Sequence, residues 1–412
     1  MSEALNKRER DTLGRMSTAL DSIDRLLVRL GLQGLQRMTA TSVTELQALE
    51  QTAHNAALVN VERQLNLLQT YVQRYLDKDP LFNMGQYAGT INRLWLLNLA
   101  ARRSFEQGQA PSAMIDVLGE ARRSYTTVER PLMLQPLGAS GWVSDTDFVG
   151  VTIYFFVDGM PGTIYQASNA KPTAYFGTDP RGLLRQSISD YVTFSIHDMA
   201  HSAFEFRNAK VSRDGRLSLH KDLYVKKAPY IGARAYGALA CRTWIELSER
   251  LKAAEANPIS GGGVTYVFIA PASLGDLSID EKGARAHGEV FDARGAQLTL
   301  EVALRKENNF LIDNLELLFG APTNVPEKGT ARGPKASAPR PDAFFGTAWI
   351  SGGQLKFFPY TAIYNQAVIL NDHGKQRVNE IHLSLESLKD VRADEDRGGD
   401  EDKGPVRKRT KV

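Results

Sequence analysis

The hydrophobic pattern changes period near Tyr125, and that switch constrains the fold more than any other feature of the chain. Upstream, Leu13, Met16, Leu20, Ile23, Leu27 and Leu30 recur at alternating spacings of three and four, a heptad seam that ends near Gly31 and Gly34. A second stripe runs through Leu46, Leu49, Ala53, Ala57, Val61, Leu65, Leu68, Val72 and Leu76 to a stop at Pro80. It predicts one long helix opened by a Ser42–Glu45 capping box. A third helix over 86–107 buries Ile91, Leu94, Leu97 and Ala101, with Trp95 broadening its apolar face, and a shorter one runs from Pro111 to Arg123. Short connections favour antiparallel neighbours, so these helices predict a bundle.

Downstream the period is two. Val151, Ile153, Phe155 and Val157 alternate with Thr152, Tyr154 and Phe156, and the turn 158–162 leads into a partner strand over 163–168. A second hairpin is expected over 204–211 and 216–220, around Ser212-Arg213-Asp214-Gly215. A helix over 235–255 follows. A further β-region then holds the strand 297–305, the segment 311–319 and, beyond a proline-rich stretch, a hairpin over 343–360 turning at Gly352-Gly353. The segment 379–388 reads as a last strand or a short helix. Short strands at such spacing suggest small barrels, with an OB-like barrel as one option.

The expected fold class is therefore α+β, an N-terminal antiparallel helical bundle followed by two β-rich, barrel-like modules. The expected domains are a bundle (1–123), a first β-rich domain (124–230), a connecting helix (231–259), a second β-rich domain (260–390) with a disordered insertion (321–341), and a disordered charged tail (391–412).

Composition excludes several classes of function. Hydrophobic residues make up 42% of the 412 residues and charged residues 24%, as in an ordinary globular protein. The single cysteine, Cys241, expected in the 235–255 helix beside Trp244, rules out an intramolecular disulfide and a thiolate zinc finger. It reads as a small packed apolar residue. The polar start of the chain lacks a signal-peptide core, and no apolar run is long enough to span a membrane, so a cytoplasmic location is expected. The net charge of +3 is concentrated outside the expected folded body. The stretch 321–341 carries four basic residues against Glu327, and 391–412 carries seven against six acidic ones, which leaves the rest near neutrality. A basic nucleic-acid groove on the body is not indicated.

The motif closest to catalytic chemistry is His197-Asp198-Met199-Ala200-His201, with Glu205 four residues on. On a helix the three would share a face and could hold a metal ion. Its second position is Asp198, where the metalloprotease pattern has glutamate. The β-branched and aromatic run 191–196, and Phe204 and Phe206 beyond, instead favour a strand, which would hold the two imidazoles ~13 Å apart. Gly329–Lys335 has the wrong glycine spacing for a phosphate loop, and Gly261-Gly262-Gly263 precedes a strand. Ser140 reads as a turn residue, with no nucleophile elbow around it. Arg102, Arg103, Arg122 and Arg123 complement helix C-termini, and together they would grip a polyanion. The basic end 403–412 reads as a solvating tail. Tyr154, Phe156, Tyr266 and Phe268 would stack bases on an open barrel face, or else pack a core.

No residue is thus assigned a catalytic, cofactor-binding or metal-ligating role, no cofactor is expected, and an enzyme is not the favoured reading. The expected function is a non-enzymatic macromolecular binding or scaffold protein in a multiprotein assembly. A protein is the expected partner, self-association would run through the N-terminal helices, and no membrane is involved. The alternative is single-stranded nucleic-acid binding by the β-modules. A metal-dependent hydrolase centred on His197 and His201 comes third.

Overall fold

The heptad seam forms α1, Lys7–Gln33, in the computed structural model, which describes residues 7–120, 124–144, 146–160, 162–231, 240–255, 265–320, 338–371 and 376–393. The seam faces inward. Met16, Leu20, Ile23 and Leu30 share one core with Leu46, Leu65, Leu68, Val72, Leu94 and Leu97. The surface expected to drive self-association is therefore the interior of the bundle, where burying each large apolar side chain contributes about 1.5–3 kcal/mol.

The expected single long helix is two: α2, Ala40–Asn55, and α3, Val59–Leu76. Between them Ala57 adopts a left-handed backbone conformation (φ 58°). Leu58 is fully buried, and its N–H donates to the Ala53 carbonyl at 2.9 Å. The cap also differs from expectation. Thr39 is the N-cap, Ser42 Oγ accepts the Thr39 N–H at 3.2 Å, and Glu45 pairs instead with Arg29 at 2.6 Å. The next helix, α4, is Met84–Glu106, capped by the Asn83 side chain. A short turn of helix, α5, Ile115–Leu118, ends the bundle.

Asn98 and Arg102 fix α4 against α1. The buried Asn98 amide donates to Asp24 Oδ1 at 2.6 Å and to the Leu20 carbonyl at 3.3 Å. Arg102 meets Asp21 and Asp24 at 2.7 Å each. Among the residues expected to grip a polyanion, Arg102 is thus committed within the bundle, Arg103 is exposed, and 122–123 lie outside the described residues.

The β-rich part holds two large sheets. The first is antiparallel throughout, in the order β4 (Ile164–Pro172), β3 (Phe148–Val157), β2 (Leu132–Val143), β7 (Ala203–Arg207), β9 (Tyr224–Ala228). The expected hairpin of β3 and β4 is present. Ser140 lies within β2, buried in the strand and not in a turn. Two short pairs flank this sheet: β1 (Tyr125–Thr127) with β8 (Lys210–Ser212), and β5 (Ser187–Ser189) with β6 (Val192–Ser195). The Ser212–Gly215 turn is tight, closed by the Ser212 N–H on the Arg216 carbonyl at 2.9 Å.

The second sheet, an open half-barrel, has the order β10 (Ala240–Cys241), β11 (Thr265–Ile269), β15 (Ala343–Ser351), β16 (Gln354–Leu370), β14 (Gln297–Ala303), β13 (Arg285–Phe291), β12 (Ser273–Asp280). Both β17 (Gln376–His382) and β18 (Val391–Ala393) add to β16. The first three residues of the expected tail are therefore paired in a sheet. Leu298, Leu300 and Val302 face the core as their alternation predicts.

Three short helices, α6 (Thr173–Phe176), α7 (Ile196–His201) and α8 (Trp244–Glu255), are interspersed, and α9, Asn309–Phe319, packs on the second sheet. The segment 311–319, expected in the β-region, is thus helical. Cys241 lies on β10 and not in a helix, where burial pushes its thiol up to about 11. The phosphate-loop candidates at 261–263 and 329–335 lie outside the described residues.

The two sheets face each other through an aromatic layer. Leu137, Tyr154, Phe156, Phe268, Phe345 and Ile363 form one cluster. Within it Tyr154 stacks on Tyr360 (5.1 Å, 11°) and meets Tyr266 at 5.1 Å. The aromatics that could have stacked bases on an open face are the packing between the sheets.

Candidate functional site

His197 and His201 lie on α7, a helical turn and not a strand. Ser195 ends β6 and caps the turn: its Oγ accepts the Asp198 N–H at 3.0 Å, and Asp198 Oδ2 accepts from the Ser195 hydroxyl at 2.6 Å. This capping box overrides the β-branched run before it. Asp198 at the second position of the motif is therefore a capping residue. The two imidazoles are brought to 4.8 Å between ring centroids, far closer than the separation a strand would impose. Glu205, expected as the third member of the face, is on β7 instead, paired with Lys226 at 2.8 Å and Arg207 at 2.5 Å.

The carboxylate that meets the histidines is Glu386. Its Oε1 lies 2.5 Å from His201 Nε2 and 3.9 Å from His197 Nε2. Glu386 follows β17 in a turn held by the buried Asn314 of α9. The Asn314 amide donates to the carbonyls of Leu383 (2.8 Å) and Glu386 (2.7 Å), and its oxygen accepts the Leu388 N–H at 2.9 Å. The same turn docks on β2. Ser384 Oγ accepts the Gly141 N–H at 2.9 Å, and Leu385 enters the core of the first sheet.

Two further groups complete the cluster. His382 stacks on His201 at 4.5 Å, and its Nδ1 accepts the Ala139 N–H at 3.2 Å. A backbone amide can only donate, so the Nδ1 lone pair is occupied and the neutral ring carries its proton on Nε2. Glu380, on β17, accepts a hydrogen bond from the Tyr230 hydroxyl.

Burial and mutual charge set the protonation of the cluster. Burial alone would raise the Glu386 carboxyl, but the charge of His201, that of His382 once it protonates in acid, and hydrogen bonds from the His201 ring and the His382 backbone hold it down to about 2. Burial opposes a charged His201, yet the Glu386 carboxylate outweighs it and raises the imidazole. These two therefore form a buried ion pair. Burial depresses His382 to about 3, against the pull of Glu386. It pushes Glu380 up to about 7, despite the Tyr230 hydrogen bond and His201. The side chains of His201 and Glu386 are each 1% exposed and that of His197 16%, so among these three His197 is the one that meets solvent.

Of these residues, the sequence singled out His197 and His201 alone. The signal for the others was present: Glu380, His382 and Glu386 interrupt the apolar run Val378, Ile381, Leu383, Leu385, Leu388, where an unpaired charge would be costly.

Fold and cluster together define an α+β protein in which a helical bundle precedes a β-rich body with a buried histidine–glutamate centre. Residues 17–119 match the model of the YehQ four-helical bundle domain. A search of curated protein sequences gave no match. A solved structure described as "Molecular basis for abrogation of activation of pro-inflammatory cytokines" is similar at 7% identity and a TM-score of 0.26, over 58% of this chain and 92% of that one. A likeness that weak carries no argument about fold or function.

Proposed function

We propose that the chain is a non-enzymatic binding and scaffold protein whose bundle docks a protein partner. The observation that carries this reading is the exposure of three large apolar side chains, Val28, Leu32 and Trp95, on the neighbouring helices α1 and α4. Asn98 meets Asp24 and Arg102 meets Asp21, so the two helices run antiparallel in that register. In that register Trp95, one turn before Asn98, falls at the level of Val28, one turn after Asp24 on α1, with Leu32 one turn further along. Trp95 is 52% exposed, Val28 60% and Leu32 83%. A tryptophan flanked by aliphatic side chains has the composition of a protein-interface anchor, whose truncation typically costs 2 kcal/mol or more of binding. The same residues are not needed to fill the bundle, whose core is formed by the opposite faces.

Burial at the histidine–glutamate cluster also supports a binding protein over a hydrolase. A catalytic centre needs room for substrate at the reacting atoms, whereas here His201, His382 and Glu386 are enclosed. The test is quantitative co-purification from cells that express the chain natively, comparing wild type with a Trp95→Ser, Leu32→Ser variant. The expected result is at least a tenfold loss of the stoichiometric partner with helicity unchanged by circular dichroism. Equal recovery from both would sink the reading.

A further inference from the structure

We propose that His197, His201 and Glu386 form a site for one divalent transition-metal ion of the zinc class, which ties α7 to the turn after β17. This goes beyond the docking role of the bundle and stands on different residues.

Three observations converge on it. First, the potential ligand atoms of these three residues lie within 4.8 Å of one another. Bonds of about 2.0–2.2 Å in a tetrahedral shell set ligand atoms about 3.3 Å apart. The Oε1–Nε2 separations of 2.5 and 3.9 Å bracket that value, so closing the shell requires side-chain rotations that draw the two imidazole nitrogens, within 4.8 Å, onto the ion.

Second, the ligands are held from behind before any ion arrives. The Ser195–Asp198 box sets the helical turn that aligns both imidazoles. The Glu386 carboxylate is aimed by the backbone N–H of His382, which donates to its other oxygen, Oε2, at 2.9 Å and leaves Oε1 to His197 and His201. Asn314 fixes the backbone of the same turn. Such supporting contacts orient ligands in protein metal sites.

Third, the donor chemistry selects the ion. Two imidazole nitrogens and one carboxylate oxygen suit zinc, iron(II), cobalt or nickel, whereas magnesium and calcium require mostly oxygen. The ion would displace the proton that His201 Nε2 shares with Glu386, whereas His382, although it stacks on His201, is excluded because the Ala139 N–H occupies its Nδ1 and keeps the ring proton on Nε2. The set is therefore three protein ligands, with any remaining position on the partly exposed His197 side.

The site joins residues 185 positions apart, so an ion there would cross-link α7, packed on the first sheet, to the turn that follows β17 of the second. The test uses the full chain, stripped with a chelator and dialysed, with zinc chloride alone as probe. Metal content is read by elemental analysis and affinity by competition with a chromogenic chelator. The expected result is one zinc per chain and a rise of several degrees in the thermal midpoint. His197→Ala should weaken zinc binding at least tenfold. His54→Ala, in an exposed imidazole on the bundle, should leave it unchanged. His197 is the least buried ligand, so its variant remains informative even where Glu386→Gln fails to fold. Magnesium chloride should bind at least a hundredfold more weakly. Absence of stoichiometric zinc, equal zinc affinity in wild type and His197→Ala, or magnesium binding as tight as zinc would each overturn the proposal.

Discussion

Replacing Glu380 by glutamine should remove a pH-dependent destabilisation from the β-rich body. Glu380 is 1% exposed on β17, and burial holds its carboxyl at about 7 against an ordinary 4.5. Between those values the unfolded chain has lost this proton and the folded chain keeps it. The unfolded state then binds fewer protons, so the contribution of Glu380 to stability falls as pH rises and levels off above about pH 7. At about 1.36 kcal/mol per pH unit, the rise from 4.5 to about 7 corresponds to about 3 kcal/mol in full. Most of it, about 2.5 kcal/mol, develops between about pH 5 and pH 8. Glutamine does not titrate, and its oxygen can still accept the Tyr230 hydroxyl. Urea unfolding of both proteins across that range, with chelator present, measures the effect. Three of the four tryptophans, Trp142, Trp244 and Trp349, lie in the body, so fluorescence follows it. His201 also loses its proton as pH rises, and it feels the Glu380 charge, so the difference between the two profiles reports Glu380 together with its coupling to His201. The variant should gain about 2.5 kcal/mol relative to wild type from the low to the high end. Profiles that stay parallel within about 0.5 kcal/mol would refute the buried, proton-holding carboxyl.

Other substitutions probe the frame around the cluster. Asn314→Leu leaves the Leu388 N–H and the Leu383 and Glu386 carbonyls without their partner, and should cost about 3 kcal/mol or more in chemical denaturation; a loss below about 1 kcal/mol would contradict the stapled turn. Gly138→Ala places a Cβ 1.8 Å from Thr361 Oγ1 at a positive φ of 154°, and should lower the thermal midpoint by ten degrees or more or prevent folding. Gly14→Ala, exposed in α1 with nothing near its Cβ, should instead stabilise the bundle by up to about 1 kcal/mol, read by circular dichroism. Leu20→Ala, at a fully buried seam position, should destabilise the bundle by about 2–5 kcal/mol.

The bundle and the strand regions were legible because single-face burial writes a period into the sequence. Met16–Leu30 and Leu298–Val302 bury the faces their spacing predicts. The break between α2 and α3 was also encoded, but in the drift of the stripe. Leu49, Ala53, Ala57, Val61 and Leu65 follow at steps of four, each rotating the stripe by about 40°, so an unbroken helix would turn its apolar face about 160° away from the core. The helix α9 was misread as part of a β-region because Leu311–Phe319 is apolar on nearly every side, which erases the periodicity that separates helix from strand. The strand β2 was missed because Leu132–Ser140 is buried on both faces and so does not alternate. At the cluster, local sequence supplied the i, i+4 pair but not its helical geometry, which depends on the Ser195–Asp198 box. The apolar run around Glu386 marked it as a buried charge in need of a partner, but not which one, since only the docking of the 382–388 turn on β2 brings it to α7.

That docking has a consequence for how the chain can be made. Leu385, in the turn after β17, completes the core of the first sheet, whose own strands all end by Ala228. As the polypeptide leaves the ribosome, the bundle can close once α5 emerges, because every residue in its core precedes 120. The first sheet, by contrast, remains short of one of its own core residues until more than 150 further residues have been translated. The β-rich body therefore matures late, and a premature stop after the bundle but before Leu385 would release a finished bundle carrying an incomplete and aggregation-prone β-sheet.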